Sequence, residues 1–257
     1  MKIVLFISLL LIWGCASKGN QEKVSMVEYL GDGIVKFESE INSDSVNKFF
    51  EIANEYQISH IVVNSPGGDV SSAIDMAEMI FRDDISIEVN DICASSCANY
   101  FLPAAKITYL RRDSLLAWHG SAFQNDFINS KRFTEQYRDL QRKEYSFYQE
   151  IGVNPMLGTM GQNAKIKRSV GARFYQGFFE YPMATLEFLG LSNIVLRDEI
   201  WDWRNNREIT ARMKGIYMVE VNSVGDDYCI AVAEYVEKLG LVFADNHNYL
   251  FGFEEGC

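Results

Sequence analysis

Basic side chains are in short supply in this sequence. Lys and Arg number 24 against 35 Asp and Glu, for a formal charge of −11. No Lys/Arg cluster overrides that balance, and phosphate binding needs basic patches, so the composition argues against nucleic acid as a partner. The acidity serves solubility. Histidine is scarce: His60, His119 and His247 are the only three. Cys93 and Cys97 lack the further Cys or His neighbours of a zinc site, so neither a metal nor a cofactor is expected. The apolar run Ile3 to Trp13 is too short for a comfortable membrane span. What remains is a 257-residue chain with enough apolar content for one sizeable core, hence one domain plus an appendage.

Lys2 and the apolar run behind it read as a signal peptide over 1–14, outside the fold. Leu11-Ile12-Trp13-Gly14-Cys15 resembles a bacterial lipobox, which implies cleavage before Cys15 and acylation of its thiol. The alternatives are an ordinary secretory signal or an uncleaved anchor. Ala16 and Ser17 carry no inner-membrane retention aspartate. The resemblance therefore implies an outer-membrane lipoprotein of the bacterial cell envelope, facing the periplasm through a polar tether at 15–24.

The most informative stretch runs from Asn64 to His119. Asn64-Ser65-Pro66-Gly67-Gly68 follows the apolar run Ile61-Val62-Val63. Cys93-Ala94-Ser95-Ser96-Cys97 follows Ile85 to Val89. His119 ends Leu115 to Trp118. Each run reads as a strand, so three turns can bring a Gly-Gly backbone, a serine and a histidine to one sheet edge. A serine acyl-transfer site needs that set: nucleophile, base and oxyanion donors. Taken singly, Pro-Gly-Gly is a tight turn, a serine at a helix start is an N-cap, and a lone histidine is structural.

Together these motifs resemble the Clp protease proteolytic subunit and its relatives in the ClpP/crotonase superfamily, over Gly31 to Val195. The resemblance implies an α/β fold with a repeated β-β-α spiral core over 25–196. It takes Ala94-Ser95 as the small pair before the nucleophile, which makes Ser96 that nucleophile. His119, 119 − 96 = 23 residues on, becomes the base. The amides of Gly68 and Cys97 become the oxyanion hole. In the family an aspartate precedes an aromatic residue and a Gly-Leu pair. Here Glu180, ahead of Gly190-Leu191, is the nearest carboxylate and the candidate to orient His119.

Other elements follow from periodicity. Gly31-Asp32-Gly33 marks a hairpin, and Val46, Phe49, Phe50 and Ala53 mark a helix. Ser71 to Arg82 reads as a helix, and Ala98 to Ala105 as a buried one kinked at Pro103. Ser130 to Glu150 reads as a long helix with one stripe of Phe133, Tyr137, Leu140, Glu144, Phe147 and Ile151. In Clp-type proteins such a helix packs on a neighbouring subunit, which hints at a homo-oligomer; the other reading is a surface helix with an aromatic inner face. Residues 197–257 form a small α+β C-terminal extension: a strand at Ile216 to Val221, a helix at Tyr228 to Leu239, a strand at Gly240 to Ala244 and a third at Asn248 to Phe253. In an oxidising compartment the sequence-local disulfides are Cys93 with Cys97 and Cys229 with Cys257, although Cys93 and Cys97 also read as buried packing residues.

Three functions fit these residues. The first is hydrolysis of a peptide or other acyl substrate by Ser96 and His119. The second is a crotonase-type binder of acyl-thioesters, for which a periplasmic address supplies no coenzyme A. The third is a non-catalytic envelope scaffold that binds through the C-terminal extension.

Overall fold

The structure is a computed structural model describing residues 26–124, 135–171, 177–221, 225–243 and 257. Cys15 and its leader, Phe133 and the expected strand at 248–253 lie outside the described residues.

The chain opens with the hairpin β1 (Met26–Gly31) and β2 (Ile34–Glu38), paired antiparallel across Gly31-Asp32-Gly33. Helix α1 (Ser43–Glu55) starts on a capping box, with Asn42 accepting from the Ser45 amide and the Asn42 amide donating to the Ser45 hydroxyl. Then come β3 (His60–Ser65), α2 (Val70–Arg82) and β4 (Ser86–Ala94). After β4 a π-helical turn (Cys97–Phe101) runs into α3 (Leu102–Ala104). Pro103 has no N–H for the carbonyl four residues back, that of Asn99, and the Tyr148 hydroxyl donates to it instead at 2.8 Å. β5 (Thr108–Leu110) and β6 (Leu115–Ala117) do not pair with each other. Both run parallel to β4, β5 along its first half and β6 along its second.

The main sheet runs β1-β2-β3-β4-β5 and ends on β8 (Ile194–Leu196), with β6 attached to β4. Every pairing after the first hairpin is parallel. The molecule is thus α/β, with a mostly parallel central sheet flanked by helices. Val35, Phe37, Ile61, Val63, Ile87 and Val89 are fully buried in the main core. Parallel strands buried on both faces are apolar nearly throughout, and β4 follows this in its second half. Cys93 faces the main core, while Ile92 and Ala94 join Leu115, Ala117, Trp203 and Ile209 in a second cluster.

Helix α4 (Glu135–Ile151) carries five buried residues, Gln141, Glu144, Tyr145, Phe147 and Tyr148, and packs on α2. After α5 (Ala164–Ser169) comes β7 (Phe179–Glu180), followed by α6 (Met183–Phe188). Beyond β8, α7 (Arg207–Arg212) carries Ile209 into the second cluster, and β9 (Tyr217–Met218) pairs with β7 in a two-stranded parallel sheet. Helix α8 (Asp226–Val242) corrects one expectation: the strand foreseen from Gly240 begins as helix, because Leu239 and Val242 continue its buried face. Tyr228, Ala231, Val232, Tyr235 and Leu239 enter the same core as the sheet. The C-terminal segment therefore has no separate core among the described residues.

A shared core makes unfolding of the two parts one event. Leu239, fully buried, should cost roughly 2–5 kcal/mol when changed to alanine. Urea unfolding of Leu239→Ala, followed by circular dichroism and by tryptophan fluorescence, should remain a single transition at lower midpoint. Two separate transitions would mean that the C-terminal segment folds by itself.

Candidate active site

Parallel neighbours end at the same sheet edge. Ser65 pairs with Cys93 and Ala94 with Ala117, so β3, β4 and β6 release Gly67-Gly68, Ser95 and His119 side by side. Ligands of open parallel sheets bind at this carboxyl edge.

Two hydrogen bonds from Ile41 hold the glycine loop: its amide donates to the Gly67 carbonyl (2.8 Å) and its carbonyl accepts from the Asp69 amide (2.7 Å). Gly67 has φ +91°, and a Cβ on it would lie 2.5 Å from the Ala94 carbonyl oxygen and 2.6 Å from Ser95 Cβ. Only glycine lets these two turns touch. A Cβ on Gly68 would lie 2.0 Å from the Ile41 carbonyl oxygen. Asp69 then caps α2 by accepting from the Ser72 amide at 2.8 Å.

The structure moves the serine register by one. Ser95, not Ser96, faces His119: its Oγ lies 3.4 Å from Nδ1 and 3.5 Å from Nε2. Both distances exceed those of an aligned hydrogen bond, and their near equality places the hydroxyl along neither nitrogen's lone pair, so a turn of the imidazole is needed to bring one nitrogen to it. Ser96 Oγ instead donates to the Gly68 carbonyl at 2.7 Å and is buried. It ties the serine turn to the glycine loop. Ser95 has φ +55°, a left-handed conformation that is unfavourable for a residue with a Cβ. Its amide donates to the Ala117 carbonyl and its carbonyl accepts from Asn99, both at 2.8 Å, which pins the turn between β6 and the following helix. A serine on such a strand-to-helix turn projects its hydroxyl out of the sheet edge. With Ser95 in that place, the amide following the hydroxyl belongs to Ser96 and not to Cys97.

Cys97 has another part. The structure joins it to Cys93 across the serine turn, with 5.3 Å between Cα atoms, and joins Cys229 to Cys257. The first bond closes a ring around Ala94, Ser95 and Ser96.

His119 is exposed, with its ring stacked on Phe178 at 4.8 Å between centroids. Solvent reaches the ring, while the protein crowded around it lowers its pKa by desolvating the imidazolium. A neutral imidazole can accept a proton. Glu180 does not touch the ring. The antiparallel bridge between Trp118 and Phe179 sets Phe178 opposite His119 and Glu180 opposite Ala117. There Glu180, buried, accepts from Trp203 Nε1 at 2.6 Å and pairs with Arg204. The Trp203 indole and the Arg204 guanidinium occupy the carboxylate that the sequence offered as a triad member. Among the described residues no group of three His, Cys, Asp or Glu side chains is arranged to hold a metal ion, and no helix is long and apolar enough to cross a membrane.

The sequence reading set Ser95 aside as part of the small pair before Ser96, although Cys93-Ala94 would have served as that pair before Ser95. It also passed over Glu144, the acidic member of the α4 stripe, whose contacts adjoin the site.

Opening the Cys93–Cys97 ring should loosen the serine turn. For so short a loop the chain-entropy model gives about 2 kcal/mol. Cys93→Ala/Cys97→Ala should unfold at lower urea by that order, and dithiothreitol, which also opens the longer Cys229–Cys257 loop, should lower wild type further still. Equal midpoints with and without this pair would show that the turn is held by its hydrogen bonds alone.

No protein-family model matches this chain, and no curated protein matches it.

Proposed function

We propose that the protein is a serine hydrolase, a peptidase or other acyl hydrolase of the bacterial envelope, with Ser95 as nucleophile and His119 as base. The observation that carries this reading is Ser95 held at positive φ on a strand-to-helix turn, its hydroxyl against a neutral histidine and beside Gly67-Gly68. Strained backbone at a sheet edge is stored where chemistry uses it. In the reaction Ser95 Oγ attacks the acyl carbon while His119 takes its proton. The Gly68 and Ser96 amides receive the developing oxyanion. The intermediate collapses, the C–N or C–O bond breaks, and the leaving group takes the proton from His119. Water then attacks the acyl-serine, again deprotonated by His119, and Ser95 is released.

The fold we assign is the ClpP/crotonase-like spiral, supported by the parallel sheet and by the placement of the serine and histidine turns. Envelope location is supported by two disulfides, which persist in oxidising compartments. Acylation at Cys15 would attach the chain to the outer membrane. Cys15→Ser should then move it out of the membrane fraction; a processed Cys15→Ser protein that still sediments with membranes would remove the anchor. A non-catalytic scaffold is the second reading. It is favoured by the engagement of Glu180 with Trp203 and Arg204.

A fluorophosphonate probe, with the labelled peptide identified by mass spectrometry, separates the two. Labelling should fall on Ser95. Ser95→Ala should abolish it, and His119→Ala should slow it by on the order of 10⁴-fold. Ser96→Ala should cost roughly tenfold or less. Because burial lowers the His119 pKa, the base stays neutral through pH 7, so the labelling rate should be flat there and fall only below about 6.5. Labelling at Ser96 would restore the other register. A folded protein that takes no label would be the scaffold.

A further inference from the structure

The imidazole of His119 meets no carboxylate among the described residues, yet the loop that carries it ends on a buried one. Glu144, on α4, is fully buried. Its Oε2 accepts from the Ala122 amide at 2.7 Å and from the Tyr100 hydroxyl at 2.9 Å. One turn earlier, Gln141 Nε2 donates to the Ala122 carbonyl at 2.9 Å. Both polar groups of the Ala122 main chain are therefore held by one face of α4. The Gly120 carbonyl accepts from Asn99 at 2.7 Å. Asn99 and Tyr100 belong to the turn behind Ser95, so one carboxylate joins the nucleophile's helix to the base's loop.

A buried carboxylate is costly, and it is retained only where hydrogen bonds compensate it. Burial raises the Glu144 pKa, while bonds from Ser121, Ala122 and Tyr100 oppose the rise. The Tyr100 hydroxyl is itself pushed well above its usual range by burial, so it remains a donor. Packing alone would be served by leucine at this position of an apolar stripe. What leucine could not do is accept from Ala122 and Tyr100 together.

We propose that Glu144, with Gln141, is the positioning residue of the Ser95–His119 pair: it sets the imidazole through the backbone of the 120–123 loop instead of through a bond to the ring. This rests on the hydrolase reading of Ser95 and His119. It assigns to Glu144 the alignment that a triad carboxylate supplies by direct contact. The ring itself is steadied by Phe178, and Gln162 donates to the His119 carbonyl.

The test uses the full chain and the fluorophosphonate probe, with the maximal labelling rate and the probe concentration for half of it measured separately. Wild-type labelling at Ser95 decides the hydrolase reading first, and its absence would end that reading whatever Glu144 does. Given that labelling, Glu144→Ala should lower the maximal rate on the order of 10- to 100-fold at unchanged half-saturation, because misplacement of a catalytic group by an ångström has that effect. Glu144→Gln keeps an acceptor oxygen and should stay within roughly threefold of wild type. With three histidines in the chain, the His119 ring resonances can be followed by NMR. They should shift in Glu144→Ala and stay in Glu144→Gln. Full labelling in Glu144→Ala, or equal loss in Glu144→Ala and Glu144→Gln, would overturn the inference while leaving the hydrolase reading intact. Should Glu144→Ala not fold by circular dichroism, Gln141→Ala decides: a roughly 3- to 10-fold loss of maximal rate supports it, and an unchanged rate overturns it.

Discussion

The Gly67 backbone lies so close to the turn at Ala94–Ser96 that one methyl group on it would come within 2.5 Å of the Ala94 carbonyl oxygen. Much of the site depends on that approach. It lets Ser96 Oγ reach the Gly68 carbonyl, which locks the glycine loop to the serine turn. With Ser96 spent as this tie, Ser95, itself mostly buried, is the serine whose φ of +55° turns its hydroxyl toward His119. The left-handed conformation costs about 1–3 kcal/mol, and it persists only because the surroundings over-determine it. Here they are the Ala117 carbonyl, the Asn99 amide and the Cys93–Cys97 ring.

On the other side of the site, His119 is held through its chain neighbours. Trp118 exchanges two hydrogen bonds with Phe179 at 2.7 and 2.8 Å, which fixes the residue before the histidine. Asn99, Gln141 and Glu144 hold the residues after it. A ring fixed in this way keeps an exposed edge and a depressed pKa together. Among the described residues no charged partner raises that pKa, and desolvation lowers it. A carboxylate on the ring would favour the imidazolium and leave less free base at neutral pH.

How much of this was legible in the chain varies by element. The β1–β2 hairpin, the three strand-to-turn motifs and helices α1 and α2 follow from Gly-Asp-Gly, from apolar runs and from 3.6-residue spacing, because each is decided within about a dozen residues. The serine register was not legible. Ser95 and Ser96 are adjacent and chemically equal, and what separates them is a positive φ at Ser95, held by the Ala117 carbonyl on β6, and a bond from Ser96 to the Gly68 carbonyl 28 residues away in sequence. Glu180 failed as a triad member for a related reason. Its separation from His119 depends on a bridge between Trp118 and Phe179, and on Trp203 and Arg204 arriving from beyond β8. Glu144 was visible as an acid on an apolar stripe, but its partners Ala122 and Tyr100 belong to other segments.

By itself the sequence determined the class of residues available at the sheet edge: a Gly-Gly turn, a serine pair, one well-placed histidine and a cysteine on each side of the serines. It determined the local elements too, since capping, turn chemistry and hydrophobic period act over short range. The tertiary structure alone decided which serine meets the histidine, which carboxylates stay away from the ring, and that the C-terminal helix completes the sheet's own core. Those choices are made by contacts between segments tens of residues apart, where a shift of one residue or a rotation about one φ changes which atoms meet.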